Sequence, residues 1–215
     1  MTSRTPEAPN FAQATEDGRL FAPSAARNLE PIAQELAHIA PAKGKALEIA
    51  SGTGQHVVAH AANHPEINWH PSEVDPDRRK SIDANVALSD CTNLSPARVL
   101  NATETGWGTA ERYDLILLSN LLHLITEKDA KTLIQEVAQA LAPKGRFFLY
   151  GPFMRDEKLV SEGDAAFHEM LTQQDALIGY KDDKTIETWA TDAGLTLLRK
   201  TEMPANNLAF TFERA

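Results

Sequence analysis

One short segment constrains this chain more than any other. Lys45–Ala50 (KALEIA) is a short, mostly apolar run that ends in Ser51-Gly52-Thr53-Gly54, and a helical pattern follows to about Asn63. That order is a buried strand, a tight glycine turn and a helix start. A dinucleotide fingerprint would need a third glycine three residues after Gly54, in the form G-x-G-x-x-G; counted from Gly52, that place falls on Val57. A phosphate-binding loop would need Gly-Lys-Ser/Thr, which is also absent. An acid at the strand end, Glu48, and a G-x-G turn suit a nucleoside cofactor without phosphate. Gly52 and Gly54 let backbone approach the ligand, the helix N-terminus can face a carboxylate, and Glu48 can meet an ammonium group. S-adenosylmethionine carries both groups in its methionine part.

The next landmark is Asp75, at the end of the strand expected over Ile67–Val74. A carboxylate there can accept both ribose hydroxyls. It can equally cap the helix that Pro76 opens, and one Asp can do both.

The rest of the chain repeats the alternation of strand and helix. A first helix is expected from Ser24, as cap, to about Ala40, with Leu29, Ile32, Ala33, Leu36 and Ile39 on its apolar face. Strands follow at Ala97–Leu100, Tyr113–Leu118 and Arg146–Tyr150, and helices at Thr126–Leu141, Asp164–Leu177 and Lys184–Ala193. Leu195–Glu202 and Leu208–Phe212 read as a closing strand pair. Such alternation predicts an α/β fold with a mostly parallel, doubly wound sheet and helices on both faces. Ligands of these sheets bind at the carboxyl ends of the strands. The functional residues are therefore expected just after strands, at 48–55, Asp75, Asn101, 119–123 and 150–153.

Several segments together carry a resemblance. Glu48-Ile49-Ala50-Ser51-Gly52-Thr53-Gly54 and Glu73-Val74-Asp75 look like the first two motifs of class I S-adenosylmethionine-dependent methyltransferases, with Ala50 where the common form has Gly. Arg27-Asn28, Ser119-Asn120-Leu121-Leu122-His123, Leu149-Tyr150-Gly151-Pro152-Phe153 and Met203-Pro204-Ala205-Asn206-Asn207 narrow it. The ordered set resembles domain-of-unknown-function family 938, the methyltransferase-like protein 26 family, over about residues 20–213. The resemblance implies a seven-stranded, Rossmann-like sheet of order 3-2-1-4-5-7-6. It places the methionine end of the cofactor at Glu48, Ala50, Gly52 and Gly54, the ribose at Asp75, and the adenine beside Asn101 and Ala102. Ser119 joins this cofactor set, and Arg27, on a helix that covers the cofactor in such enzymes, can grip the methionine carboxylate.

Two further residues face the region where methyl and acceptor should meet. His123 can act as a general base with a pKa near the working pH, or cap the turn after its strand. Tyr150 can orient a substrate or a sulfonium, or serve as a core tyrosine. His56, His60 and His64 share a helical face but lack the zincin pattern and a completing carboxylate, so no metal is expected; His56 can line the site and the other two are expected at the surface. Trp107 can wall the adenine.

Charge sets the partner class. Lys plus Arg is 21 against 30 Asp plus Glu, a net −9 with pI near 5.3. That disfavours nucleic acid and anionic membranes as partners. One cysteine, Cys91, excludes an internal disulfide framework. No secretory signal or membrane span is evident, which predicts a soluble cytoplasmic protein. Residues 1–23 are expected to be loosely ordered, and 24–215 to form one domain with a lid at 154–179. The expected function is transfer of the S-adenosylmethionine methyl group to a small-molecule acceptor. The alternatives are a protein or RNA methyltransferase and a non-catalytic S-adenosylmethionine-binding protein.

Overall fold

A computed structural model of the chain describes residues 12–15 and 18–215. Residues 1–11, 16 and 17, which belong to the segment expected to be loosely ordered, lie outside the described residues. Those described there form a small antiparallel pair, β1 (Gln13–Ala14) and β2 (Leu20–Phe21). Next come α1 (Pro23–Ile39), β3 (Gly44–Ile49), α2 (Gln55–Asn63), β4 (Ile67–Pro71) and α3 (Pro76–Leu88). They are followed by β5 (Tyr113–Ser119), α4 (Glu127–Ala140), β6 (Leu141–Met154), α5 (Glu162–Gln174), β7 (Lys181–Asp182), α6 (Asp183–Asp192), β8 (Leu195–Met203) and β9 (Asn207–Arg214).

The main sheet has seven strands, in the order β4-β3-β5-β6-β9-β8, with β7 pairing the end of β6. It is mixed rather than simply parallel. The pairs β3–β4, β3–β5, β5–β6 and β6–β7 are parallel, whereas β9 runs antiparallel to both β6 and β8. The reason is local: β8 and β9 are joined by a tight turn at 204–206, which can only return the chain antiparallel. The strand expected at 97–100 does not form. Residues 94–98 run beside β4 through two isolated bridges, Trp69↔Leu94 and Ser72↔Arg98. Ser95 and Pro96 sit between these bridges, and Pro96 has no N–H to give a ladder.

Helices cover both faces. Ile32, Leu36 and Ile39 of α1, Val57 and Ala61 of α2 and Ile82 of α3 pack with Ala46, Leu115, Leu117, Phe148 and Tyr150 of the sheet. Leu133, Ile134 and Val137 of α4 and Ile186 and Ala190 of α6 pack with Leu47, Ile49, Ile116, Leu118, Phe147 and Leu149 on the other face. Central strand β5 is apolar and buried from Leu115 to Leu118, where both its faces are covered. Most helix starts follow the expected chemistry: Asp75, Thr126, Ser161 and Asp182 each accept backbone N–H bonds at a helix N-terminus. The exceptions are α2, which starts from Gly54, and α1. The cap of α1 is Ala22, with no side-chain bond, and Pro23 opens its first turn in place of the expected Ser24 cap.

Among the described residues no helix is long and apolar enough to cross a membrane.

Candidate functional site

The carboxyl ends of β3, β4, β5 and β6 lie on one edge of the sheet, and the turn after β3 is the centre of that edge. Ala50, Gly52 and Gly54 all have positive φ, at 52°, 59° and 89°. Three left-handed residues within five positions fold the chain sharply and leave Gly54 as the N-cap of α2. A Cβ on Gly54 would lie 2.9 Å from the Cα of Ile82, so α3 packs too close there for any side chain. A Cβ on Gly52 would meet nothing nearer than 4.0 Å, so this glycine borders open space.

Glu48, next to last in β3, comes just before that turn. It is 4% exposed, and its Oε2 is buried without a hydrogen-bond partner. Burial pushes its carboxyl up to about 8, Ser51 pulling it down and the neighbouring Glu73 charge adding to the rise. An unpaired buried carboxylate costs several kcal/mol, and a cation placed against it removes that cost. The residue is therefore built to meet a donor, such as an ammonium group.

Glu73, only 3% exposed, closes the turn from the β4 side. Its Oε2 accepts the Gly52 N–H at 3.1 Å, and its Oε1 accepts the N–H groups of Val74 at 2.8 Å and Asp75 at 3.2 Å. The structure thus puts the carboxylate of Glu73, not that of Asp75, against the glycine turn. Asp75 is exposed, and its Oδ1 is occupied by the N–H groups of Asp77 and Arg78 at the start of α3. The strand expected to run to Val74 ends at Pro71, which leaves Glu73 in the turn and Asp75 at the start of α3.

The first helix reaches the same edge, through a residue next to the one expected. Arg27 is exposed on α1. Asn28 turns inward instead: its Oδ1 lies 2.9 Å from Nε2 of His56, a nitrogen that also lies 3.2 Å from the Ala25 carbonyl oxygen. Gln55 fastens the same two helices, its Oε1 accepting from the Ala22 N–H at 2.7 Å and from the Thr53 hydroxyl at 2.8 Å. Upstream, the Leu20 N–H donates to Ser81 Oγ of α3 at 2.8 Å.

Tyr150 is 2% exposed, and burial pushes its hydroxyl up while Asn28 pulls it down. It pairs in register with Ser119 at the end of β5, on the same face of the sheet as Glu48. The Asn120 N–H, at a left-handed φ of 56°, donates to the Tyr150 carbonyl and turns the chain away from the sheet.

His123 is buried in a short turn of helix at 122–124, with Phe167 at 5.7 Å and Tyr180 at 6.2 Å between ring centroids. Burial first, and then the Lys181 charge, lower its pKa to about 3. The expected pKa near the working pH does not arise there, because two aromatic rings replace the water that would stabilise an imidazolium. The 154–180 segment containing Phe167 and Tyr180 is tied down by Asp164. That carboxylate accepts from Ser161, Tyr180 and Asn206 at 2.7, 3.2 and 3.0 Å.

Asn101 spends its side chain on its own turn, Oδ1 accepting from the N–H and hydroxyl of Thr103 and Nδ2 donating to Glu104. Ala102 is buried, and its carbonyl accepts from the Trp107 indole at 3.2 Å. His60, expected at the surface, is 1% exposed: it stacks on His56 at 5.8 Å and lies against Trp69 at 5.5 Å. Among the described residues no three His, Cys, Asp or Glu converge to hold a metal ion.

The family profile described as "Protein of unknown function (DUF938)" matches residues 19–214. The chain belongs to the DUF938 family. The DUF938 chain also shares its fold with solved structures. An O-methyltransferase family protein from Burkholderia thailandensis superposes with a TM-score of 0.78 at 15% identity, over 89% of this chain and 57% of that one. Human N-acetylserotonin methyltransferase, in complex with SAM, gives 0.72 at 11% identity, over 89% and 53%. A putative sarcosine dimethylglycine methyltransferase from Galdieria sulphuraria gives 0.70 at 15% identity, over 95% and 92%. The chain thus spans little more than half the length of the first two and nearly all of the third. At these identities the likeness is one of fold.

Proposed function

We propose that this DUF938 chain is an S-adenosylmethionine-dependent methyltransferase acting on a small molecule, of the methyltransferase-like protein 26 type. The observation that carries the reading is the buried, unpartnered Glu48 Oε2 at the end of the strand that leads into the turn at Gly52, itself bordering open space. A buried acid awaiting a donor, beside a turn that admits close approach, fits the amino group of the cofactor's methionine part. Ala50, Gly52 and Gly54 supply the backbone wall of that site. Glu73 takes the ribose role expected of Asp75: Oε2 gives one lone pair to Gly52 and keeps another for a hydroxyl. The adenine lies beside Asn101 and Ala102, with Trp107 behind, and Ser119 borders the methyl end.

The cofactor, when bound, supplies an activated methyl group on a good leaving group. What the chain itself supplies is alignment and exclusion of water. His123, held neutral among rings, orients an acceptor rather than taking its proton. The segment at 154–179 acts as a lid over the acceptor side. The fold relatives named for N-acetylserotonin and for sarcosine and dimethylglycine support a small acceptor, as does the net charge of −9, which repels polyanions.

Incubation of the protein with methyl-labelled cofactor and a metabolite extract tests the reading. Label in a small product is expected. Label confined to protein or RNA fractions, or no transfer from any pool, contradicts it.

A further inference from the structure

We propose that residues 19–22 form a strap coupled to the glycine turn through Gln55, Ser81 and Asn85, so that nucleoside binding at the turn and docking of the strap reinforce one another. The proposal rests on the reading of this edge as a nucleoside-cofactor site. It adds a conformational device to that site, with the three side chains as positioning residues.

Each of the three side chains holds the strap with one hydrogen bond and Thr53, the middle residue of Gly52-Thr53-Gly54, with another. Gln55 Oε1 accepts from the Ala22 N–H at 2.7 Å and from the Thr53 hydroxyl at 2.8 Å. The Ser81 hydroxyl accepts from the Leu20 N–H at 2.8 Å and donates to the Thr53 carbonyl at 2.9 Å. Asn85 Oδ1 accepts from the Arg19 guanidinium at 2.9 Å, and its Nδ2 donates to that same carbonyl at 2.9 Å. A carbonyl can only accept, so the Asn85 amide is fixed in orientation, its NH₂ toward Thr53 and its oxygen toward Arg19. Ser81 has one hydroxyl hydrogen, and Thr53 takes it; the lone pairs that remain are what the Leu20 N–H requires.

The two ends of this network cannot move independently. The peptide joining Thr53 and Gly54 is held at its carbonyl by Ser81 and Asn85, and at its N–H by the Ser51 carbonyl, 3.0 Å away. A planar peptide turns as one piece, so these bonds set the orientation of the turn. Helix α3 leaves no slack: a Cβ on Gly54 would lie 2.9 Å from the Cα of Ile82 and 3.4 Å from Asn85 Nδ2. Ser81 is fully buried and Thr53 is 5% exposed, so water cannot take over the bonds that an undocked strap would release. Release would leave the Ser81 lone pairs unsatisfied, which favours new rotamers of the side chains that aim Thr53. Such coupling is reciprocal. The factor by which a bound nucleoside stabilises the docked strap equals the factor by which undocking weakens the nucleoside.

Hydrogen exchange at the Leu20 and Ala22 amides, followed by NMR on the full chain with and without S-adenosylhomocysteine, tests the coupling. Saturation should slow both amides about fivefold or more, the lower end of typical coupling between sites. A strap that is only structural would exchange at the same rate in both states, and that result overturns the proposal. Leu20→Pro removes the N–H that Ser81 accepts and alters no atom of the turn. By calorimetry it should weaken S-adenosylhomocysteine by about the factor seen in the exchange rates. Unchanged affinity in Leu20→Pro overturns the proposal as well. Binding to the wild-type chain without added protection removes the coupling alone, whereas a wild-type chain that binds no S-adenosylhomocysteine removes the nucleoside reading and the coupling with it.

Discussion

Glu48 is mostly protonated at pH 7 in the free protein, since burial carries its carboxyl to about 8. A cationic ammonium beside it favours the carboxylate. Cofactor binding near pH 7 should therefore release close to one proton, and affinity should rise from pH 6 to 8 and then level off. Calorimetry in buffers of different ionisation enthalpy reads the proton directly. In Glu48→Gln the release should vanish and binding should lose its pH slope. The two acids that follow β4, Glu73 and Asp75, separate in the same way. Asp75→Ala should cost about 1 kcal/mol of stability, the value of a helix cap, with S-adenosylhomocysteine affinity unchanged. Glu73→Gln should weaken binding. If Asp75→Ala weakens binding more than Glu73→Gln, the ribose belongs to Asp75.

At the scale of elements, the turn between β3 and α2 holds two opposite opportunities. Gly54→Ala would place a Cβ 2.9 Å from the Ile82 backbone at a φ of 89°. It should destabilise by about 1–3 kcal/mol, combining left-handed strain with a clash against α3. Ala50 already bears left-handed strain at φ 52°, so Ala50→Gly should stabilise by up to about 1 kcal/mol. Urea midpoints of the two variants, moving in opposite directions, check this; a stabilised Gly54→Ala would contradict the packing described.

The same turn shows what was legible in the sequence. The strand–glycine–helix unit, the Asp75 and Thr126 caps and the closing strand pair could be read because local chemistry decides them. The strand expected at 97–100 does not form, because only Arg98 of that run makes a bridge and Val99 is 70% exposed. Asn28 and Glu73 lie within the Arg27-Asn28 and Glu73-Val74-Asp75 motifs, where the sequence alone assigns them no role. Their roles depend on contacts with His56 and Gly52, and no local pattern reveals which of two neighbouring polar residues faces inward. His60 was misplaced for a related reason: its fourfold spacing shows a face, and only the position of Trp69 shows that the face is buried.

For the molecule as a whole, burial of neutral histidines sets an acid limit on stability. His56, His60 and His123 have pKa values lowered to about 4, 3 and 3 from 6.5. The unfolded chain protonates them first, so the stability they contribute is present above pH 6.5 and is lost as pH falls towards 4–3. Each gives up about 1 kcal/mol between pH 6.5 and 5.5. Glu48 acts in the opposite sense: its raised pKa contributes stability that is full below 4.5 and lost as pH rises through about 8. Over pH 6.5–5.5 it offsets about one histidine, so the ligand-free protein should lose roughly 2 kcal/mol. Urea denaturation at the two pH values measures this, and a flat or rising stability on acidification would contradict it.

The claim on which the functional account turns is that this edge of the sheet takes a phosphate-free nucleoside carrying an amino acid. Titration of the purified chain with S-adenosylhomocysteine, NAD and ATP under identical conditions tests that claim most directly. The account predicts a saturable S-adenosylhomocysteine isotherm in the micromolar range and no comparable heat from NAD or ATP. Tighter binding of NAD or ATP, or no binding of S-adenosylhomocysteine, would contradict it.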